Sequence, residues 1–253
     1  MARFFLSREA MDLMSGTIVI GGDDAHHIAY SLRMAVGDAL TVCDMQKNEY
    51  RCTITDIKPD RVQLCVDSVT ENSTELPIRV HLFQSLPKGD KMDYIVQKAV
   101  ELGVTEITPV AGARCIVRLD ESGAQKKVAR WQKIAAEAAK QCGRGMIPTV
   151  NPPIPFKEAV AQSVRCTLPL FCYEGDGARS LKEILAGCPH PSDMPEEQRT
   201  AAVLIGPEGG YDTKEVQCVQ DAGIPIVNLG SRILRCETAS GFVLACMTYA
   251  FEL

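Results

Sequence analysis

From residue 78 onward, the chain alternates between short apolar segments and segments with helical periodicity. The predicted strands are Arg79–Gln84, Thr105–Val110, Ile147–Val150, Leu168–Tyr173, Ala201–Ile205 and Ile224–Leu229. The predicted helices are Asp90–Leu102, Glu121–Cys142, Phe156–Gln162, Ser180–Leu185, Thr213–Ala222 and Thr238–Phe251, with a Pro-rich loop at Cys188–Gln198. Parallel strands need crossover connections, which are usually helices. The alternation therefore predicts βαβ units and an α/β fold with a mostly parallel sheet.

The first 70 residues have a different pattern, in which short segments rich in Val, Ile and Thr follow one another closely. The predicted strands are Ile18–Ile20, Ala39–Asp44, Tyr50–Ile57 and Arg61–Val69. A single predicted helix, Asp23–Met34, interrupts them. Closely spaced short strands are typical of a small β-barrel, which closes its own edges. The polar segment Thr70–Pro77 follows, and we predict two domains, 1–72 and 73–253, with the boundary there.

Composition excludes several classes of protein. The chain has 253 residues, 46% of them hydrophobic, with 19 Gly and 14 Pro. These values exclude collagen-like and disordered chains, and the length allows a sizeable core. No stretch approaches the roughly 20 apolar residues that span a bilayer, and charged residues between Arg3 and Asp12 interrupt the apolar run that a signal peptide needs. We therefore expect a soluble cytoplasmic protein with no membrane partner.

The 11 cysteines lack the spacing of metal ligands. No two of them form a C-x-x-C pair, and Cys43, Cys65 and Cys246 lie among apolar neighbours. Zinc sites usually show such paired spacing, whereas a free cysteine in an apolar segment behaves as a small hydrophobe. We therefore predict no metal site and a reducing compartment.

Charge is unevenly distributed along this acidic chain. Residues 79–144 carry 12 basic and 7 acidic side chains, although the whole chain has a net charge of −5. Cations recur along one face of the long predicted helix and just beyond it: Lys126, Arg130, Lys133, Lys140 and Arg144. A basic segment in an acidic protein can bind a polyanion such as nucleic acid, because the local field decides the attraction. A solvated helix face explains the same pattern, and this alternative stays open.

Two loops near the C-terminus are the strongest candidates for a binding site. The first, Leu204–Gly210, follows an apolar strand and contains three glycines; the second, Asn228–Ala239, contains Arg232, Arg235 and Glu237. Open α/β sheets bind ligands at the carboxyl ends of their strands, and glycines let a ligand approach the backbone closely. The glycines match neither the dinucleotide fingerprint nor the Walker motif, which disfavours both nucleotide classes. A purely structural turn remains the alternative for each loop taken alone.

Taken in order, motifs along nearly the whole chain resemble those of the SPOUT-class methyltransferases that modify uridine N3 in small-subunit (16S) ribosomal RNA. The resemblance is carried by Arg3-Phe4-Phe5, His27, Leu32-Arg33-Met34, Gly37-Asp38, Lys88-Gly89-Asp90-Lys91, Gln97-Lys98, Glu101-Leu102-Gly103, Arg114, Glu137, Gln141 to Arg144, Ile205 to Gly210 and Leu229 to Thr238. Two departures are Ser231, where we expect proline in many relatives, and Ser240-Gly241 within the last helix. Neither removes a group that methyl transfer obviously needs.

The resemblance implies an N-terminal PUA-like RNA-binding barrel and a C-terminal SPOUT domain with a deep trefoil knot. It also implies a homodimer, 16S ribosomal RNA within the small subunit as substrate, and S-adenosylmethionine as cofactor. The cofactor-binding residues would be Leu204, Ile205, Gly206, Glu208, Gly209, Gly210, Leu229, Gly230, Ile233, Leu234 and Thr238. The RNA-binding residues would be the five cations of the long helix segment together with Arg33, Lys88, Lys91 and Arg114.

The chemistry of uridine N3 suggests which side chains would act. This nitrogen is a poor nucleophile until its proton leaves, so the site must accept the proton or stabilise the anion. We expect Arg235 and Arg144 to stabilise the anion and Glu237 to be a weaker candidate for accepting the proton. Two other functions remain possible on the residues alone: a non-catalytic RNA-binding factor for ribosome assembly, and a Rossmann-like oxidoreductase, which should carry its fingerprint nearer the start of the α/β region.

Overall fold

The computed structural model describes residues 2–8, 11–12, 14–175 and 177–253. The chain divides into two units: Met1–Glu75 with Ala139–Ile147, and Leu76–Ala138 with Pro148–Leu253. Each unit contains its own cluster of buried apolar side chains. We describe them separately.

The first unit is built on a five-stranded sheet. Its strands are β1 (Arg3–Phe5), β2 (Thr17–Gly21), β3 (Ala39–Cys43), β4 (Asn48–Lys58) and β5 (Arg61–Glu71). Their spatial order is β1-β3-β4-β5-β2, with β1 parallel to β3 and the other pairs antiparallel. Within the described residues, β1 and β2 each have a single neighbouring strand. The sheet is therefore a half-barrel, more open than the closed barrel that the strand spacing predicted.

Alternating side chains build the core of this unit. Ile18 and Ile20 of β2 and Leu64 of β5 are fully buried, whereas Val19 between them in sequence is exposed. Successive side chains of a strand point to opposite faces, so one face of the sheet is covered and the other is solvated. The strand β1 was not predicted, because three residues are too few to show an alternation.

The predicted helix Asp23–Met34 is shorter in the structure. Helix α1 (Gly22–His26) continues as a π-helical turn, His27–Ser31, and the helical structure ends there. Arg33 has a φ of 52°, in the left-handed region, which a right-handed helix cannot accommodate. The prediction was therefore wrong at its C-terminal end, since apolar periodicity does not report a reversal of the backbone.

The second unit contains an eight-stranded sheet. Its strands are β6 (Arg79–Ser85), β7 (Glu106–Ala111), β8 (Thr149–Val150), β9 (Ile154–Pro155), β10 (Leu168–Cys172), β11 (Arg179–Ser180), β12 (Thr200–Ile205) and β13 (Ile226–Asn228). The order is β11-β13-β10-β12-β6-β7-β8, with β9 also beside β7, and every pair is parallel. The predicted parallel α/β sheet is confirmed.

Helices connect these strands. They are α2 (Lys91–Glu101), α3 (Glu121–Cys142), α4 (Phe156–Ser163), α5 (Leu181–Ala186), α6 (Thr213–Asp221) and α7 (Cys236–Phe251). Short 3₁₀ turns, Pro191–Asp193 and Glu196–Gln198, occupy the predicted Pro-rich loop. The end of α3 belongs to the first unit, and the rest of it belongs to the second. None of the described helices has the length and apolar character needed to cross a membrane.

The central strand β12 has the continuous apolar pattern that made this sheet predictable from the sequence. Ala201 to Ile205 are all buried, without polar alternation. Parallel strands that are covered on both faces show such continuous apolar runs. One face carries Phe83, Phe156, Phe171 and Tyr211 in a single cluster, and α7 packs against β12 and α2. This core fixes the carboxyl ends of β10, β12 and β13, from which the candidate loops emerge.

Candidate active site

Three neighbouring strands end at one edge of the sheet. Cys172 at the end of β10 is in register with Ile205 at the end of β12 and with Val227 near the end of β13. Since all three strands are parallel, the loops that follow them begin side by side. The Gly-rich loop (Leu204–Gly210) and the Arg-rich loop (Asn228–Ala239) therefore flank the same space. The sequence predicted that these two loops form one composite site.

That space is a cavity of about 580 Å³. Of the predicted cofactor-binding residues, those on its wall are Ile205, Gly206, Glu208, Gly210, Leu229, Gly230, Ile233 and Leu234. The other three are not on the wall: Leu204 is buried inside β12, Gly209 accepts a hydrogen bond from Arg114, and Thr238 is in the first turn of α7. The structure thus brings together most of the residues that the sequence singled out.

Two glycines expose their backbone to this cavity. Gly210 has a φ of 67° and Gly230 has a φ of 106°, which side-chain-bearing residues rarely adopt. A Cβ built on either residue would meet no atom within 4 Å. The glycines are therefore required by the backbone conformation, and the space beside them is free for a ligand to approach.

Tyr211 was not predicted as a site residue, although it lies on the cavity wall. Its ring lies 4.3 Å from that of Phe171, centroid to centroid, and its buried hydroxyl has no hydrogen-bond partner among the described residues. Burial raises the pKa of this hydroxyl well above its usual value, so it stays protonated. Buried polar groups are nearly always satisfied, so this hydroxyl is an exception among the described residues. An aromatic residue directly after the Gly-Gly pair was the available signal.

Charged side chains from three elements meet at another part of the wall. The Lys91 Nζ donates to Glu208 Oε1 at 2.8 Å and lies 3.4 Å from Glu237 Oε2. The backbone N–H of Lys88 also donates to Glu208 Oε1, at 3.1 Å. Arg232 and Arg235 are exposed and line the same cavity. Both cations and carboxylates are therefore present on the cavity wall.

These contacts keep the cluster ionised. The hydrogen bond to Glu208 raises the pKa of Lys91. Burial acts to raise the pKa of Glu208, but hydrogen bonds from Lys91 and from backbone N–H groups outweigh it and lower the pKa. The pKa of Glu237 is also lowered, because its own backbone N–H, the Cys236 thiol and Lys91 together outweigh the effect of burial. At neutral pH, both carboxylates are therefore negative and Lys91 is positive.

The Gly-rich loop is also joined to the loop that follows β7. The Arg114 Nη1 donates to the carbonyl of Gly209 at 3.0 Å. The buried Glu215 accepts from the N–H of Ala113 through Oε1 and from the N–H of Asp212 through Oε2, both at 2.8 Å. The second bond belongs to a capping box at the start of α6. Glu215 was not predicted as a site residue, although the Asp-x-x-Glu spacing is visible in the sequence.

The predicted RNA-binding residues of the second unit differ in their surroundings. Lys88, Lys126 and Lys133 are exposed. Arg130 forms an ion pair with Asp93, which also accepts from the indole N–H of the buried Trp131 at 3.0 Å. The three exposed lysines are therefore available to an RNA backbone, whereas Arg130 of α3 is paired with Asp93 of α2.

The remaining predicted cations belong to the first unit. Arg33 is exposed, whereas Lys140 pairs with Asp24 at 2.9 Å and lies 5.1 Å from the centroid of the Phe4 ring. Arg144 is only 3% exposed and pairs with Glu75. A buried, paired guanidinium supports the fold of this unit. The catalytic and RNA-binding roles given to Arg144 stay predictions that its burial does not favour.

The sequence matches two family models along most of its length. They are described as an RNA methyltransferase domain, over residues 74–248, and an RNA methyltransferase PUA domain, over residues 20–66. The chain belongs to the RNA methyltransferase family. The resemblance noted from its motifs is confirmed, and the half-barrel and the parallel α/β unit correspond to the two matched regions.

Individual relatives agree with this assignment. The methyltransferase is 34% identical over 254 residues to the ribosomal RNA small subunit methyltransferase E of Bacillus subtilis (strain 168), covering 100% of this chain and 98% of that protein. It is 31% identical over 241 residues to the protein of that name from Synechocystis sp., covering 95% of this chain and 75% of the relative. A crystal structure of the Neisseria gonorrhoeae enzyme of this name, bound to S-adenosyl methionine, matches with a TM-score of 0.83 and 33% identity over 99% of this chain and 98% of that one.

Proposed function

We propose that this methyltransferase uses S-adenosylmethionine to methylate N3 of one uridine in 16S ribosomal RNA, on the assembled small subunit. The observation that carries the proposal is the cavity at the ends of β10, β12 and β13, in a family member whose gonococcal relative binds this cofactor. The cavity has room for a small ligand, and the family supports S-adenosylmethionine as that ligand.

The residues of the cavity fit the cofactor. Its volume of about 580 Å³ lies within the range usual for small-molecule sites, roughly 300–1,000 Å³. Gly210 and Gly230 leave backbone accessible, and Tyr211 adds an aromatic side chain to the lining. An adenosyl group offers both a planar apolar ring and several polar atoms, which suit such a wall.

When bound, S-adenosylmethionine supplies an activated methyl group on a positively charged sulfur. The protein must then orient the uracil ring and stabilise the negative charge that develops as the N3 proton leaves. Arg235 is our candidate for this stabilisation, since it is exposed on the cavity wall. Glu237 is a weaker candidate for the proton acceptor, because a carboxylate with a lowered pKa is a weak base.

RNA binding is proposed for the exposed cations of both units. Lys126 and Lys133 are exposed on α3 and are separated by seven residues, about two helical turns, which aligns them on one face. Lys88 and Arg33 are the other exposed members of the predicted set. Contacts from such side chains to phosphates position an RNA without reading its bases. The remaining members, Lys91, Arg114, Arg130, Lys140 and Arg144, have partners within the protein.

Three further features belong to the proposal. The homodimer would cover an apolar groove of about 800 Å³ between α5 and α7, where Phe242 and Tyr249 are 40% and 76% exposed. The trefoil knot would involve the two cavity loops.

The domain boundary near residue 72 would separate the half-barrel from the catalytic region in chain order, with Ala139–Ile147 grouped with the half-barrel. Because ribosomes are the proposed substrate, the proposed location is the cytoplasm.

Calorimetric titration of the purified protein tests the cofactor directly. We expect saturable binding of S-adenosylmethionine and no binding of NAD. Binding of NAD alone would favour an oxidoreductase, and binding of neither ligand would favour a non-catalytic RNA-binding factor. Either result would refute the proposed reaction.

A further inference from the structure

We propose that Lys91, Glu208 and Glu237 select the sulfonium cofactor over its demethylated product, S-adenosylhomocysteine, by their combined charge. This inference rests on the proposed function, because it assumes that S-adenosylmethionine binds in the cavity. It assigns Lys91 to the cofactor site, whereas its motif had suggested a contact with RNA.

The three side chains meet although they come from separate parts of the chain. Lys91 is the first residue of α2, Glu208 lies in the loop after β12, and Glu237 is in the first turn of α7. Lys91 and Glu208 line the cavity, and Glu237 follows Cys236, which also lines it. The N-terminal ends of α2 and α7 and the loop after β12 therefore hold this charged cluster at the cavity.

The cluster carries an excess negative charge. Two carboxylates share one ammonium, with Nζ to oxygen distances of 2.8 Å and 3.4 Å. The lowered pKa values of Glu208 and Glu237 keep both ionised at neutral pH. The side chains of Lys91, Glu208 and Glu237 are 32%, 27% and 18% exposed. Partial burial reduces screening by salt. The cluster's own net charge of −1 therefore adds to the field of Glu174, Arg232 and Arg235, the other charged residues that line the cavity.

The two ligands differ by one methyl group and one unit of positive charge. Their adenosine and amino acid portions are identical, so every contact to those portions contributes equally to both affinities. A negative cluster stabilises the sulfonium and has no such effect on the neutral thioether. The cluster thus favours binding of the cofactor and release of the product, which is what repeated turnover requires.

A series of charge variants tests the inference by binding alone. Calorimetry on the full chain would give the Kd of each ligand for the wild type, Glu208→Gln, Glu237→Gln and Lys91→Met. The ratio of the product Kd to the cofactor Kd should fall about two- to fivefold in each Gln variant, the range of partly exposed ion pairs. It should rise by a similar factor in Lys91→Met, which leaves two carboxylates uncompensated.

The neighbouring pair Lys98 and Glu101 provides a matched control. These residues lie on the same helix, α2, and form an ion pair in which Lys98 Nζ is 2.9 Å from Glu101 Oε1. Neither residue is on the cavity wall. Lys98→Met and Glu101→Gln should leave the ratio of the two Kd values unchanged. Because the ratio is taken within one variant, a loss of affinity common to both ligands cancels.

The outcomes separate the inference from the proposed function. If S-adenosylmethionine binds the wild type but the ratio stays constant across the cluster variants, or moves in one direction for all three, the inference is wrong and the cofactor assignment stands. If Lys91→Met weakens RNA binding without changing the ratio, its role is the RNA contact. If S-adenosylmethionine does not bind the wild type, the proposed function itself fails.

Discussion

The carboxylate of Glu215 accepts a hydrogen bond from the backbone N–H of Ala113, at 2.8 Å, across 102 residues of chain. Its other oxygen accepts from the N–H of Asp212, at the end of the Gly-rich loop. One buried side chain therefore ties the loop after β7 to the loop that lines the cavity. We infer that Glu215 is a positioning residue that acts on the cofactor through this loop.

Replacing Glu215 with Ala should lower the free energy of unfolding by about 1–3 kcal/mol, because two backbone donors lose their acceptor in a buried setting. It should also weaken S-adenosylmethionine binding, whereas Glu215→Gln should retain part of both properties. Urea unfolding and calorimetry measure the two effects. Glu158→Ala on the exposed face of α4 is the control and should change stability by less than about 0.5 kcal/mol. Unaltered cofactor affinity in Glu215→Ala would refute the positioning role.

Replacing Gly210 with Val should abolish cofactor binding while the fold persists. The φ of 67° makes a side chain costly by about 1–2 kcal/mol, and nothing within 4 Å would oppose the new Cβ except a bound ligand. Gly223→Val is a matched control, since Gly223 has a φ of 72°, equally free space and no place on the cavity wall. Thermal unfolding should shift similarly in both variants, and calorimetry should show lost binding only for Gly210→Val. Equal cofactor affinity in the two variants would contradict the assignment of this loop.

Replacing Arg235 with Ala should reduce the rate of the methyl-transfer step about 100–1000-fold, the usual loss when one charge-stabilising donor is removed. The Kd of S-adenosylmethionine should change little, because the stabilised charge develops on the uracil during the reaction. Single-turnover methylation of small subunits measures the rate, and Arg179→Ala, at an exposed position of β11, is the control. A rate within a few fold of the wild type would exclude Arg235 as the stabilising cation.

Stability should depend on pH through His81. Burial lowers the pKa of His81 more than Glu106 raises it, and its Nε2 lies 2.7 Å from the Thr108 hydroxyl. The unfolded chain protonates His81 more readily than the folded chain does. The stability contributed by neutral His81 is therefore complete above about pH 6.5 and is lost as the pH falls towards the lowered pKa. Urea unfolding between about pH 5 and 7 should show this decline, and His81→Gln should flatten it. An unchanged slope in the variant would assign the decline to other groups.

The parallel sheet could be predicted because its determinants are local. Continuous apolar runs such as Ala201–Ile205, separated by helical segments, are visible in one dimension, and α3 has the predicted bounds, Glu121–Cys142. The three-residue β1 and the left-handed Arg33 left no comparable pattern. Local signals thus yielded most elements of the second unit, without the two-residue strands β9 and β11, and only part of the first unit.

The candidate site was predictable where it lies on single loops and unpredictable where it depends on distant pairs. Gly206 to Gly210 and Leu229 to Leu234 were recognised from spacing, and they share one cavity. The pairing of Lys91 with Glu208 and of Glu215 with Ala113 spans more than 100 residues, so only the packed fold reveals it. Charge spacing also selected Lys140, whose partner Asp24 is equally remote in sequence. The trefoil knot, the homodimer and the domain boundary stay predictions.

The proposed product of this chain is 3-methyluridine in 16S ribosomal RNA. Mass spectrometry of nucleosides from ribosomal RNA measures this product directly in cells with and without the gene. We predict that 3-methyluridine disappears from 16S RNA of the deletion strain, and that the purified protein with S-adenosylmethionine restores it on small subunits from that strain. Persistence of 3-methyluridine at its normal level, together with failure of the protein to add it, would contradict the proposed reaction.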